Sequence, residues 1–525
     1  MLTSAKSLRG MVTSPHHLAS QAGRSVLQDG GTAIEATVAV AATLAVVYPH
    51  MTGIGGDGFW LVAEPDGRTW SIDACGAAAM TADRSLYATL DAIPWRGPLA
   101  ANTVAGTISG WAAALERSHS VMPLPRLLRD AIQLAEAGVV ITDGGAEIAA
   151  AKGPELRAQP GGYGDIFEPD GHPLRAGDVL RQRALAATLT LLARDGLDGF
   201  YRGALARTIA ADLKTLGSPV SLPDLTRHHA TSPEPLCVRA LGARLFNTAP
   251  PTQGIASLLI LALFDRLAPA EPEGFEFVHA LVEATKRAFL FRDAHVGDRS
   301  YMTLDPQAVL DDAVEIDVVA AAIDPARALP WPQPASAGDT CWFGAADARG
   351  QVVSCIQSTY FEFGSGLVLP QSGIIWQNRG SSFRLKGSWN TLEPGRKPFH
   401  TLNPALARFD DGRVMAYGTM GGEGQPQTQA AIFARYARYG VELQDAINRP
   451  RWLLGKTWGD ESTSLKIEDR FPLELYEELA AAGHRVEPVA PLTAMMGHAG
   501  ALVRHPGGML EGATDPRSDG QVAAW

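Results

Sequence analysis

Apolar positions in this chain recur first with a helical period and later with a strand period. Leu18, Ala22, Val26 and Leu27 share one face over 16–29, a predicted helix closed by Gly30 and Gly31. Thr32 caps a second helix over 33–47, so rich in alanine and valine that it is expected to be buried. Its apolar run, 36–48, falls well short of the roughly 20 residues that span a bilayer. The glycine-rich stretch Gly53-Ile54-Gly55-Gly56-Asp57-Gly58 is followed by a strand over 59–63, whereas a phosphate loop should open a helix. A tight turn needing positive φ is expected there instead.

Strands over 59–64 and 69–73, joined by Pro65-Asp66-Gly67, form a hairpin. From 103 to 213 the pattern is helical, with one helix opening at 106–111 and others over 124–137, 180–194 and 199–213. Ser221 caps a further helix with proline in its first turn, 237–246 reads as a hairpin, and long helices return over 253–267 and 275–291. The segment 323–339 carries Pro325, Pro330, Pro332 and Pro334 and ends in Ser336-Ala337-Gly338, the composition of an exposed, mobile linker. After it come strands over 341–346 and 352–357 around a turn at 347–350, then strands at 373–376, 403–409 and 413–417. The chain closes with helices over 425–439 and 471–483 and strands near 485, 498–505 and 510–513. No internal repeat is visible, and helices before the linker with strands after it predict sheets sandwiched by helices.

Composition narrows the function. With 46% hydrophobic and 19% charged residues among 525, the chain can build a large core. A net charge of -11 without a dense Lys/Arg run argues against nucleic acid. Cys75, Cys237, Cys341 and Cys355 are far apart, so neither a zinc site nor a disulfide framework is suggested, and no cofactor is implied. The start of the chain lacks the apolar core of an export signal, and the expectation is a cytoplasmic protein without a membrane segment.

The candidate chemistry sits at the mouth of the 341–357 hairpin. If the chain were cut before Thr340, that residue would carry a free α-amine beside its own hydroxyl, the pairing that activates a threonine nucleophile without a histidine. Uncut, it is a threonine that starts a strand.

Thr340 with Asp347-Ala348-Arg349-Gly350-Gln351-Val352-Val353-Ser354, then Phe363-Gly364-Ser365-Gly366, Leu402-Asn403-Pro404, Gly421-Gly422 and Gly512-Ala513-Thr514-Asp515-Pro516-Arg517, resembles the γ-glutamyltransferase family of N-terminal nucleophile hydrolases. The front half agrees through Gly30-Gly31-Thr32-Ala33-Ile34-Glu35-Ala36 and 53–59. The resemblance implies an α+β fold, a four-layer αββα sandwich. It also implies a precursor that cleaves itself between Asp339 and Thr340 into a large chain, 1–339, and a small chain, 340–525, intertwined in one globular unit. A homodimer of such heterodimers is left open. Thr340 would be nucleophile and autoprocessing residue, Gly421 and Gly422 the oxyanion hole, and Ser358 the hydroxyl that hydrogen-bonds the nucleophile.

Transferases of the family hold the substrate's α-carboxylate with an arginine where this chain has Cys75, and its α-amine with an acidic residue where it has Ser382. Neither can pair a charge that leaves water. His400-Thr401 replaces twin serines, and Tyr360 an asparagine. Tyr360, Phe361, Trp376 and His400 are expected to narrow the pocket. Arg379, helped by Asn378 or His400, is expected to bind the carboxylate of a small anionic amide. Asp339-Thr340-Cys341-Trp342, the run 373–383 and Gly497-His498-Ala499-Gly500 most resemble the oxamate amidohydrolases of purine catabolism, which imply oxalate and ammonia as products. Alternatives are a γ-glutamyltransferase or glutathione hydrolase, and an acylase acting on glutaryl-type β-lactam side chains.

Overall fold

The computed structural model describes residues 3–331, 339–387, 389–455 and 462–525, and of Asp339 only its backbone. Two antiparallel sheets lie face to face, and helices cover the outer side of each. One sheet runs Gln521–Ala524, Gly10–Ser14, Asp339–Asp347, Val352–Tyr360, Asp57–Ala63, Thr69–Ala74. The other runs Ala5–Ser7, Leu510–Thr514, Ala499–Arg504, Val414–Thr419, Ala405–Phe409, Ala243–Asn247, Leu236–Ala240. Each sheet takes strands from both sides of residue 339, which corrects the picture of helices before the linker and strands after it. Strand order is a long-range property that local periodicity does not carry.

Alternation along the strands builds the layers. In Asp57–Ala63, Trp60 and Val62 face the helices, while Phe59, Leu61 and Ala63 face the other sheet. In Asp339–Asp347, Cys341, Phe343 and Ala345 face the helices, and Trp342 and Ala346 face inward. Thr340 shares the parity of Trp342, so the pleat aims it into the slot between the sheets. The facing sheet makes room for Trp342 with Gly418 and Gly500, where a Cβ would stand 2.2 and 2.5 Å from the indole.

On the outer side the helix Ala33–Val47 is buried along its whole length, as its composition predicts. A reciprocal capping box closes its start: Thr32 Oγ1 accepts from Glu35 N at 3.2 Å and Glu35 Oε2 accepts from Thr32 N at 2.7 Å. The helices Gly254–Leu267, Phe275–His295 and Gly424–Tyr439 pack on the second sheet.

Other expectations need revision. None of the glycines at 53, 55, 56 and 58 has positive φ. They are needed for close approach: a Cβ on Gly55 would lie 2.2 Å from the Ile375 carbonyl oxygen, and one on Gly56 2.0 Å from that of Ser358. The stretch 373–376 is an irregular segment held by isolated bridges, Gly55 to Trp376 and Val368 to Ile375, rather than a strand. The helix Asp143–Arg157 was not individually anticipated, because Pro154 and three glycines mask its period. Of the proline-rich linker, 332–338 lies outside the described residues. Its first part is exposed but anchored, with Ala328 N bonded to Ala482 O at 2.8 Å and Lys286 Nζ to Leu329 O at 2.7 Å.

Candidate active site

Thr340 is buried, and its Oγ1 accepts a hydrogen bond from Gln425 Nε2 at 3.3 Å. Gln425 opens the helix Gly424–Tyr439 directly after the turn at Gly421-Gly422. Both glycines have positive φ, +111° and +52°, and Gly424 N bonds to Gly421 O at 2.7 Å. The N–H groups of Gly421 and Gly422 form no hydrogen bond to another described residue. A buried network holds the carbonyl side of this turn. Gln253 Nε2 donates to Gly422 O at 2.8 Å and to Thr401 O at 2.7 Å, Arg292 Nη1 donates to Gln253 Oε1 at 2.9 Å, and Arg292 Nη2 reaches Glu423 at 2.9 Å. The turn thus has its carbonyls fixed and two N–H groups without an acceptor among the described residues, a pair that can stabilise an oxyanion.

Thr340 Oγ1 thus has Gln425 as a donor, and Ser358, on the inner face of Val352–Tyr360, accepts at Oγ a hydrogen bond from Tyr360 N at 2.8 Å. The bond kinks the strand end, and Tyr360 takes φ +85°, a strained value for a bulky residue. That conformation lays the Tyr360 ring under Arg379, whose Cζ stands 3.5 Å from the ring centroid.

Arg379 is fully buried at the start of the short turn Arg379–Ser382. Its Nη2 donates to Thr401 Oγ1 at 3.3 Å, while Nε and Nη1 have no acceptor among the described residues. No carboxylate forms an ion pair with it among those residues. Asn378, placed beside it in sequence, has its amide committed elsewhere, with Nδ2 donating to Trp95 O at 2.8 Å and Oδ1 accepting from Phe361 N at 3.0 Å. These bonds make it part of the 360–361 wall. Trp376 belongs to the helix-covered core, with Nε1 bonded to Thr103 O at 3.1 Å, so it does not narrow the slot. Ser382 gives its hydroxyl to Phe399 O at 3.2 Å.

His400 is buried against Phe59, and its Nε2 lies 3.1 Å from Asp57 Oδ2. Burial pushes the Asp57 carboxyl up to about 7, against the pull of its backbone donors and of Arg379. Burial, then Arg379 and Lys397, hold His400 well below the usual histidine range. Cys75 is raised well above the usual thiol value by burial and by Asp57 and Asp73. Asp57, Cys75 and His400 bring three donor atoms within 4.8 Å of one another, the spacing of a metal site. A cation there would face Arg379 and Lys397, and the thiol keeps its proton, so the trio suits proton holding better than metal binding. A second trio, His279, Glu283 and His484, is already neutralised, since Glu283 pairs with Lys286 and Arg287 at 2.6 Å each.

Asp57, Gln425, Gln253 and Arg292 were not singled out from sequence as site residues. Asp57 stands inside a glycine run that reads as a turn, and the others sit in helices or at their starts, where nothing local marks them.

A buried threonine hydroxyl together with a turn whose N–H groups lack acceptors among the described residues can support amide hydrolysis. The family model for gamma-glutamyltranspeptidase matches residues 19–525, and the chain belongs to that family. It is 52% identical to an oxamate amidohydrolase proenzyme of Klebsiella pneumoniae, over all of both chains. It is 39% identical to a glutathione hydrolase-like YwrD proenzyme of Bacillus subtilis, over 97% of each. Among solved structures, a cephalosporin acylase from Bacillus halodurans superposes with a TM-score of 0.93 at 30% identity, covering 100% of this chain and 97% of that one. No helix among the described residues is long and apolar enough to cross a membrane.

Proposed function

We propose that the chain is a proenzyme that cleaves itself between Asp339 and Thr340, and that Thr340 then hydrolyses oxamate to oxalate and ammonia. The observation that carries the substrate is Arg379, a buried guanidinium whose Nε and Nη1 have no acceptor and which pairs with no carboxylate among the described residues. A buried cation without a partner is costly, and a small anion would relieve that cost. The full-length likeness to an oxamate amidohydrolase proenzyme supports the same substrate.

In this reading the Thr340 α-amine takes the hydroxyl proton as Oγ1 attacks the amide carbon. Gly421 and Gly422 N–H groups bind the oxyanion, and the amine returns the proton to the departing ammonia. Water, deprotonated by the same amine, then attacks the ester; the C–O bond to Thr340 breaks, the amine returns that proton to Oγ1, and oxalate leaves. Thr401 and Tyr360 hold Arg379 in place, and His400 lines the carboxylate end. None of the four cysteines is in a disulfide, which accords with a cytoplasmic enzyme.

The experiment pairs ammonia release from oxamate with turnover of a chromogenic γ-glutamyl anilide on one purified sample, beside a denaturing gel. Fragments corresponding to 1–339 and 340–525, ammonia from oxamate and little anilide turnover are expected. Anilide turnover without ammonia would replace the reading by a glutathione hydrolase. Thr340→Ala should remain uncleaved and inactive, and turnover by that variant would refute the nucleophile.

A further inference from the structure

Asp57 opens the strand Asp57–Ala63 on its inner face, and its two carboxyl oxygens have different surroundings. Oδ1 accepts three hydrogen bonds, from Gly76 N, Gly106 N and Gln377 Nε2, each 3.1 Å long. Oδ2 meets His400 Nε2 at 3.1 Å. The other ring nitrogen, His400 Nδ1, is buried without a partner among the described residues. One proton therefore lies between Oδ2 and Nε2, and its owner decides what Nδ1 is. If the imidazole owns it, Nδ1 is a bare lone pair. If the carboxyl owns it, the imidazole stays neutral only by binding a second proton on Nδ1, which becomes a donor, so this state holds one proton more than the other. Arg379 Nε and Nη1 are unpartnered donors as well, so a donor at Nδ1 adds to an anion-binding set, whereas a lone pair there would repel a carboxylate.

Resting on the oxamate reading, we propose that Asp57 is a positioning residue. By keeping a proton on Oδ2 it makes His400 Nε2 the acceptor and turns His400 Nδ1–H into a donor to the substrate carboxylate.

The neighbours support this placement. Arg379 faces the pair from the turn Arg379–Ser382, and Lys397 faces it from the loop before His400 while paired with Asp73 at 2.7 Å. Cys75 stands just beyond Thr69–Ala74, Tyr201 couples to Asp57 from the helical side, and Tyr360 stacks on Arg379. Arg379 and Lys397 oppose a doubly protonated imidazole, so when the pair holds two protons one of them lies on Oδ2 and not both on the ring. Arg379 and the three donors on Oδ1 favour an ionised Asp57, but burial outweighs them and keeps the carboxyl protonated up to about pH 7.

The test is the pH dependence of kcat/KM for oxamate in the processed enzyme and in Asp57→Asn. The asparagine amide can accept through its oxygen and donate through its nitrogen at every pH. In the unsubstituted enzyme kcat/KM should fall roughly tenfold per pH unit above about pH 7, mainly through KM. In Asp57→Asn that fall should vanish. A fall with the same midpoint in the variant overturns the proposal, as does a flat profile in the unsubstituted enzyme. Should Asp57→Asn not fold, enzyme labelled with ¹⁵N-histidine decides, the His400 signals being assigned by their loss in His400→Gln. The Nδ1–H tautomer is expected below about pH 7 and the Nε2–H tautomer above it, and one Nε2–H tautomer throughout overturns the proposal. Absence of oxamate turnover by the unsubstituted enzyme sinks the substrate reading, and the same histidine spectrum then still tests where the proton lies.

Discussion

Replacing Arg379 by methionine should weaken the enzyme and strengthen the fold. The guanidinium is fully buried, gives Nη2 to Thr401 and stacks on Tyr360, but leaves Nε and Nη1 without an acceptor. In the bound state those two groups would donate to the substrate carboxylate, each worth about 1.5–3 kcal/mol as a charge-assisted bond. Their loss amounts to roughly 3–6 kcal/mol, or about 10²- to 10⁴-fold in kcat/KM. The carboxylate is gripped equally before and during attack on the neighbouring carbonyl, so the loss should fall mainly on KM. In the free enzyme the same two donors cost about 1–3 kcal/mol each as unsatisfied buried groups, and methionine removes that cost while filling most of the volume. For a chain of this length 1 kcal/mol corresponds to about 1 °C in Tm, so a rise of a few degrees is expected. Steady-state kinetics on oxamate and scanning calorimetry of the same preparation check both signs. An unchanged KM together with a lower Tm would show Arg379 to be a structural cation and refute the reasoning.

Two other outcomes can be checked directly. Gly421→Ala has open space around its Cβ, with Gly497 Cα nearest at 3.7 Å, but φ +111° excludes an alanine, so the turn must rotate an N–H away from the oxyanion. A kcat lower by roughly 10²–10³ is expected with KM little changed, and a kcat within threefold would remove this turn from the mechanism. Acid should destabilise the protein through His16, His50 and His498, which gather around Tyr48. Burial, followed by neighbouring histidines for the first two, lowers them to about 3, about 3 and about 4. Their folded values lie below the unfolded 6.5, so their contribution is present above pH 6.5 and lost as pH falls. At pH 5 each costs about 2 kcal/mol, together a large part of a typical folding free energy. Asp57 has the opposite sign, since its contribution is full below the unfolded 3.8 and lost as pH rises through about 7. Thermal melts at pH 7.5 and 5 should differ by several degrees, and equal midpoints would contradict the burial of neutral histidines.

Much of this protein is written locally. The helix Ala33–Val47 follows from a cap and an apolar run, and the helix Leu124–Ala137 from one apolar stripe, because helix bonds and side-chain faces repeat within a few residues. The strand pairs around Thr340 and the Gly421-Gly422 turn are equally legible, and so are the missing charges at Cys75 and Ser382. Local sequence does not say what those residues meet. The short edge strands Ala5–Ser7 and Gln521–Ala524 have too few residues for a period and exist through partners hundreds of positions away. The glycines at 53–58 make room for the carbonyls of Ser358 and Ile375, Trp376 turns into the core, and Gln425 donates to Thr340. Asp57 lies beside His400 across 343 positions of sequence, a meeting that creates the polar end of the slot. Sequence alone determined most of the helices and central strands, the threonine near a strand start and the charge pattern around it. Tertiary structure decided which donors stay unpartnered, because satisfaction of a buried polar group depends on every segment packed against it.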